Sequence, residues 1–89
     1  MRILKAKVYG KVQGVWFRKY TLDCAKRFGI IGTVKNLRDG TLLVHTKGKN
    51  LEEFKKHLKI GPPDSDINKI DYLWSTSQIE FSDFKIEYR

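Results

Sequence analysis

Arg18 and Lys19 stand at the opening of a segment that should be helical, where positive charge opposes the helix dipole instead of complementing it. Tyr20, Cys24 and Phe28 recur at four-residue spacing and Gly29 supplies a stop, so a helix is predicted from about Phe17 to Phe28. No Ser, Thr, Asp or Asn just before it takes up the orphan backbone N–H groups; Val15, Trp16 and Phe17 stand there instead. Upstream, Gly10 and Gly14 let backbone amides approach a ligand with no Cβ in the way. Free amides converging at an uncapped helix start, with an arginine fork beside them, suit an anionic ligand with phosphate oxygens. The same segment also reads as a plain strand-to-helix turn with Arg18 in solvent. Pattern alone leaves both readings open. It is not a nucleotide P-loop, because Val15 occupies the glycine position before the lysine, and no GxGxxG is present.

Other reactive side chains are poorly placed for chemistry. His45 falls in a predicted strand and His57 on a predicted helix, neither with a carboxylate or nucleophile nearby in sequence, so a catalytic histidine is not expected. Cys24 lies on the apolar face of the first helix and should be a buried, inert thiol. Asp64, Asp66 and Asn68 imitate the first half of a calcium loop, but Lys69 replaces its glycine and Ser75 its closing glutamate. Two histidines and one cysteine give no zinc-ligand spacing.

The elements that must position Arg18 follow from periodicity. Residues 2–9 alternate, with Leu4, Ala6 and Val8 on one face and Lys5, Lys7 and Tyr9 on the other, as in a half-buried strand. A second strand is predicted over Ile30–Leu37, and Asp39-Gly40 signals a hairpin into a third over Thr41–Thr46. Asn50 is a candidate N-cap for a second helix with Leu51, Phe54 and Leu58 on one stripe, ending near Gly61-Pro62-Pro63. Ile67–Ser75 carries Ile70, Tyr72 and Trp74 at period two. A last strand alternates Phe84, Ile86 and Tyr88 with Lys85, Glu87 and Arg89. The order β-α-β-β-α-β plus a short terminal strand predicts an α+β, ferredoxin-like fold: an antiparallel sheet with two helices packed on one face. That plan hosts unrelated functions and names none.

Eighty-nine residues, 40% hydrophobic, suit one domain over 1–89 with a single modest core. One cysteine excludes an internal disulfide. Lys5 and Lys7 break the apolar run of MRILKAKVYG, so no signal-peptide core is expected there. No stretch reaches the about 20 apolar residues of a membrane span. A cytoplasmic protein with no membrane partner is expected. Eighteen Lys and Arg against ten Asp and Glu give a formal charge of +8, spread along the chain, which makes anions the first ligand class to consider.

The string Gly10-Lys11-Val12-Gln13-Gly14-Val15-Trp16-Phe17-Arg18 resembles the G-x-V-Q-G-V-x-F-R signature of the acylphosphatase family. Gly32-Thr33-Val34-Lys35-Asn36 with Asp39-Gly40 is similar to that family's second motif, and Gly61-Pro62-Pro63 with Ile67 to its third. The resemblance covers essentially the whole chain. It implies hydrolysis of an acyl phosphate, a small-molecule substrate, to a carboxylate and inorganic phosphate, the latter both product and inhibitor. It further implies a phosphoryl group held by Arg18 and the backbone of Gln13, Gly14, Val15, Trp16, Phe17 and Arg18. Asn36 would orient the attacking water, with no metal, cofactor or phosphoenzyme, in a monomer. Thr33 departs from the aromatic many relatives carry there, and Trp16 fills a variable position.

Phosphoryl transfer to water from a good carboxylate leaving group needs mostly positioning and charge stabilisation, which an arginine, a crown of amides and a neutral asparagine can supply. The first and second strands run the same way in such a sheet, so the loop and Asn36 share one edge, within reach at strand spacings of about 5 Å. Two other readings remain. One is a module of this family that binds an anion without turning it over. The other is an RRM-like nucleic-acid binder, which needs aromatics on the open face of strands one and three. Strand three has none and strand one only Tyr9, so nucleic acid is not an expected partner.

Overall fold

Alternation in the first strand drives the fold. Leu4, Ala6 and Val8 turn one way into a core they share with Val34, Leu42, Val44, Phe54 and Leu58, and the lysines between them turn away. In the computed structural model, which describes residues 2–76 and 80–88, the order is β1 (Arg2–Lys11), α1 (Phe17–Arg27), β2 (Ile31–Asn36), β3 (Leu42–Lys47), α2 (Leu51–Ile60), β4 (Asp66–Thr76) and β5 (Phe84–Glu87). The sheet order is β4-β1-β3-β2-β5. Arg89, expected in the last strand's alternation, lies outside the described residues.

The ferredoxin-like plan is present, with one departure from the expected sheet. β1 pairs antiparallel with β3 and β4, and β2 with β3, but β5 joins β2 in parallel, so the sheet is mixed. The hydrophobic alternation of Phe84, Ile86 and Tyr88 says which face they share, not which edge or direction the strand takes. α1 packs on β2 and β5, α2 on β4, and the helices meet where Tyr20 Oη donates to the His57 carbonyl at 2.7 Å.

β1 runs two residues past its predicted end. At Gly10 the register with β4 shifts, and Gly10 (φ 126°) pairs with Ile67 and Lys11 with Asp66. A Cβ at Gly10 would collide with the Asp66 carbonyl oxygen and the Asn68 nitrogen, so this bulge admits only glycine. Asn50 occupies the N-cap position of α2, but its side chain does not cap the helix. Its Nδ2 donates instead to the Phe28 carbonyl at 3.4 Å, tying the end of α1 to the start of α2. Glu52 and Glu53 in the first turn suit the dipole in place of that cap.

Candidate active site

The loop between β1 and α1 is pinned by what it buries. Val12, Val15 and Phe17 are inside the core, while Gly14 and Trp16 between them are exposed. Alternate residues thus anchor the segment from below, which leaves its backbone at the surface. Gly14 (φ 74°) and Trp16 (φ 65°) both take left-handed conformations. Glycine does so freely, whereas a tryptophan there is an outlier. Trp16 is the N-cap of α1 with no side-chain cap, as its sequence predicted. Among the described residues, the backbone N–H groups of Gly14 through Lys19 make no hydrogen bond; Tyr20 is the first to donate, to the Trp16 carbonyl at 2.9 Å.

A cleft of about 420 Å³ opens over this loop, lined by Val12, Gly14, Trp16, Phe17, Arg18, Lys19, Asn36, Ile86 and Tyr88. Arg18 and Asn36, paired in the sequence reading, therefore meet at one cavity. The sheet explains how. Val8 pairs with Leu42 and Leu42 with Asn36, so Val8, three residues before the end of β1, lies two strand spacings, about 10 Å, from Asn36. Asn36 alternates onto the same face as buried Val34, beneath α1.

Gln13 and Val15 do not line the cleft among its described residues. The Gln13 side chain has a role that no local pattern announces. Its Nε2 donates to the carbonyls of Leu37 at 2.8 Å and Thr41 at 2.9 Å. The loop is thereby clipped to the turn that follows Asn36. Asp39 stiffens that turn from within: it accepts from the backbone N–H and hydroxyl of Thr41 and pairs with Lys7 at 3.1 Å. The hydroxyl and amide of Thr41, with Lys7 behind them, hold the Asp39 carboxyl down to about 2.

Tyr88 was not anticipated either. The Arg18 guanidinium lies over its ring, 4.8 Å from the centroid, and among the described residues Arg18 has no carboxylate partner. The β2–β5 pairing runs from Gly32 with Phe84 to Lys35 with Glu87, and the same offset carried one residue further brings Tyr88 level with Asn36. The Asn36 Oδ1 is buried and accepts no hydrogen bond among the described residues. Buried acceptors are rarely left so, and those that are mark strain, a ligand or a water.

The remaining reactive groups are occupied elsewhere. Burial pushes the Cys24 thiol up, away from the thiolate. His57 stacks on Phe28 with centroids 5.1 Å apart. Partial burial, then Lys5, pushes the His45 imidazole below its ordinary pKa, on the open sheet face. Tyr72 and Trp74 pair with Ala6 and Leu4 and so share the helix face, with Lys55 over the Tyr72 ring at 4.6 Å. They are not the open-face aromatics that an RRM-like surface requires. Among the described residues no helix is long and apolar enough to cross a membrane.

The fold, with an arginine, an asparagine and an uncapped helix start at one cleft, defines a ferredoxin-like α+β domain, a class that hosts unrelated functions. Comparison with known proteins narrows it. The acylphosphatase family model matches residues 4–86, and the chain belongs to that family of enzymes. An acylphosphatase of Dehalococcoides mccartyi is 42% identical over 99% of this chain and 100% of its own. The mouse protein named acylphosphatase-2 is 40% identical, covering 92% of this chain and 82% of its own. The crystal structure of the Bacillus subtilis acylphosphatase superposes with a TM-score of 0.92 at 32% identity, over 99% of this chain and 100% of that one.

Proposed function

We propose that the chain hydrolyses acyl phosphates, with the phosphoryl group held by Arg18 and the amides of the Gln13–Arg18 segment, and the attacking water oriented by Asn36. The observation that carries this is the meeting of Arg18 and Asn36 at one cleft beside backbone N–H groups that make no hydrogen bond among the described residues. Family membership supports the reaction class. In this reading Arg18 gives paired donors to two phosphoryl oxygens and neutralises charge on them. The amides complete the cradle, and they face negative charge without reorganising. Asn36 Oδ1 accepts a hydrogen from the water, so that the water oxygen keeps a lone pair toward phosphorus. The new P–O bond forms as the bond to the acyl oxygen breaks. The carboxylate leaves with the bonding electrons and the surplus water proton passes to phosphate or solvent. A carboxylate leaves without a strong general acid, which fits a cleft whose lining has no histidine or carboxyl group among the described residues.

Benzoyl phosphate hydrolysis by the purified chain, with EDTA present and inorganic phosphate added as inhibitor, tests the proposal. Expected are rapid turnover, inhibition by phosphate, and loss of about 10²–10³-fold or more in Arg18→Ala. Folded protein without turnover makes the cleft a binding site alone.

A further inference from the structure

Two large aromatic side chains stand at the cleft with most of their surface in water: Trp16 is 81% exposed and Tyr88 73%. Both line the cavity that holds Arg18, together with apolar Val12 and Ile86. Trp16 also occupies a left-handed backbone position that glycine or asparagine fills at lower cost. A strained, solvent-exposed tryptophan at a cavity is costly in two ways, and such outliers gather at ligand contacts. Tyr88 lies against the Arg18 guanidinium, so an anion on Arg18 has that ring beside it.

We propose that Trp16 and Tyr88 form an aromatic wall for the acyl group, so that the chain prefers acyl phosphates carrying an aromatic or bulky apolar acyl group over acetyl phosphate. This rests on the acyl phosphate reading above. With the phosphoryl end fixed at Arg18, the rest of the substrate extends along the lining of the cleft. A methyl group there covers little of either ring. A phenyl ring covers much more, removing apolar surface of both partners from water and gaining edge or offset-stacked contacts. Neither side chain loses much rotational freedom on binding, since each turns about only two bonds.

The test is kcat/KM for benzoyl and acetyl phosphate with wild type, Trp16→Asn and Trp16→Phe. Both leaving groups are carboxylates of similar basicity, so the ratio reads recognition rather than leaving ability. Asparagine tolerates the left-handed backbone, which separates loss of the ring from loss of the loop. Wild type should favour benzoyl phosphate about tenfold, the size of one good aromatic contact. Trp16→Asn should bring the ratio close to one, and Trp16→Phe should restore most of it. A wild type that treats both alike, or a ratio that survives in Trp16→Asn, overturns the proposal while leaving acyl phosphate hydrolysis intact. If neither substrate turns over, it is the hydrolytic reading that fails. Calorimetric binding of benzylphosphonate against methylphosphonate then still decides on the wall. A preference lost in Trp16→Asn sustains it, and equal affinities overturn it.

Discussion

Arg18 and Asn36 sit at the same cleft in opposite electrical situations. Arg18 is a cation with an aromatic ring behind it and no carboxylate among the described residues. Asn36 is a neutral group with a buried acceptor that nothing among the described residues satisfies. Their variants should therefore fail differently. Arg18→Ala should lose phosphate inhibition along with turnover. Asn36→Ala should keep phosphate inhibition within a few-fold and lose about 10²–10³ in rate. Because the Oδ1 has no partner to lose among the described residues, Asn36→Ala should also leave stability within about 1 kcal/mol of wild type. Inhibition constants and a urea titration on both variants check this. An Asn36→Ala protein that no longer binds phosphate, beside an Arg18→Ala protein that does, reverses the two roles.

At the scale of elements, the β1–α1 loop and the β2–β3 turn behave as one unit because Gln13 joins them. Its two hydrogen bonds cross from the end of β1 to the carbonyls of Leu37 and Thr41. Those carbonyls also accept from Gly40 and Leu37 amides, so losing the clip weakens the turn without stripping it bare. Gln13→Ala is expected to lower unfolding free energy by about 1–2 kcal/mol, one to two modest hydrogen bonds. It should also lower kcat more than phosphate affinity, because the cradle stays anchored by Val12, Val15 and Phe17 while Asn36 drifts relative to it. Denaturation and steady-state kinetics on the same preparation test both parts. Destabilisation with unchanged kcat would leave Gln13 a purely structural residue.

Across the whole molecule the relevant quantity is charge. The chain carries a formal +8 over 89 residues, and Arg18 and Lys19 stand at the cleft itself. For a doubly anionic substrate this raises the encounter rate, and salt screens it. Raising ionic strength from about 0.01 M to about 0.5 M, where the Debye length falls from about 30 Å to under 10 Å, should lower kcat/KM several-fold and leave kcat nearly unchanged. A chloride series at constant pH measures this, and a parallel fall in kcat would point to salt acting inside the cleft.

The sequence by itself determined the elements and the chemistry that local patterns encode. Period-two and period-3.6 apolar spacing gave five strands and two helices in order, because burial of alternate or every third to fourth residue is a local property of the chain. The missing cap at Trp16, the glycines at Gly10 and Gly14 and the charge at Arg18 were legible for the same reason, since each breaks a rule that operates within a few residues. The motif resemblance placed Asn36 beside them. Only the tertiary structure decided the rest. That β5 enters in parallel beside β2 depends on which sheet edge stands open after the other strands have paired. That entry brings Tyr88 to Arg18 across most of the chain's length, a contact no spacing in the sequence announces. Gln13 likewise read as one amide of a loop until the fold set Leu37 and Thr41 opposite its side chain. Asn50 shows the converse: local preference offered a cap, and the nearby end of α1 offered its side chain another partner. Local rules act through neighbours in sequence, whereas strand edges and cleft walls are made by neighbours in space.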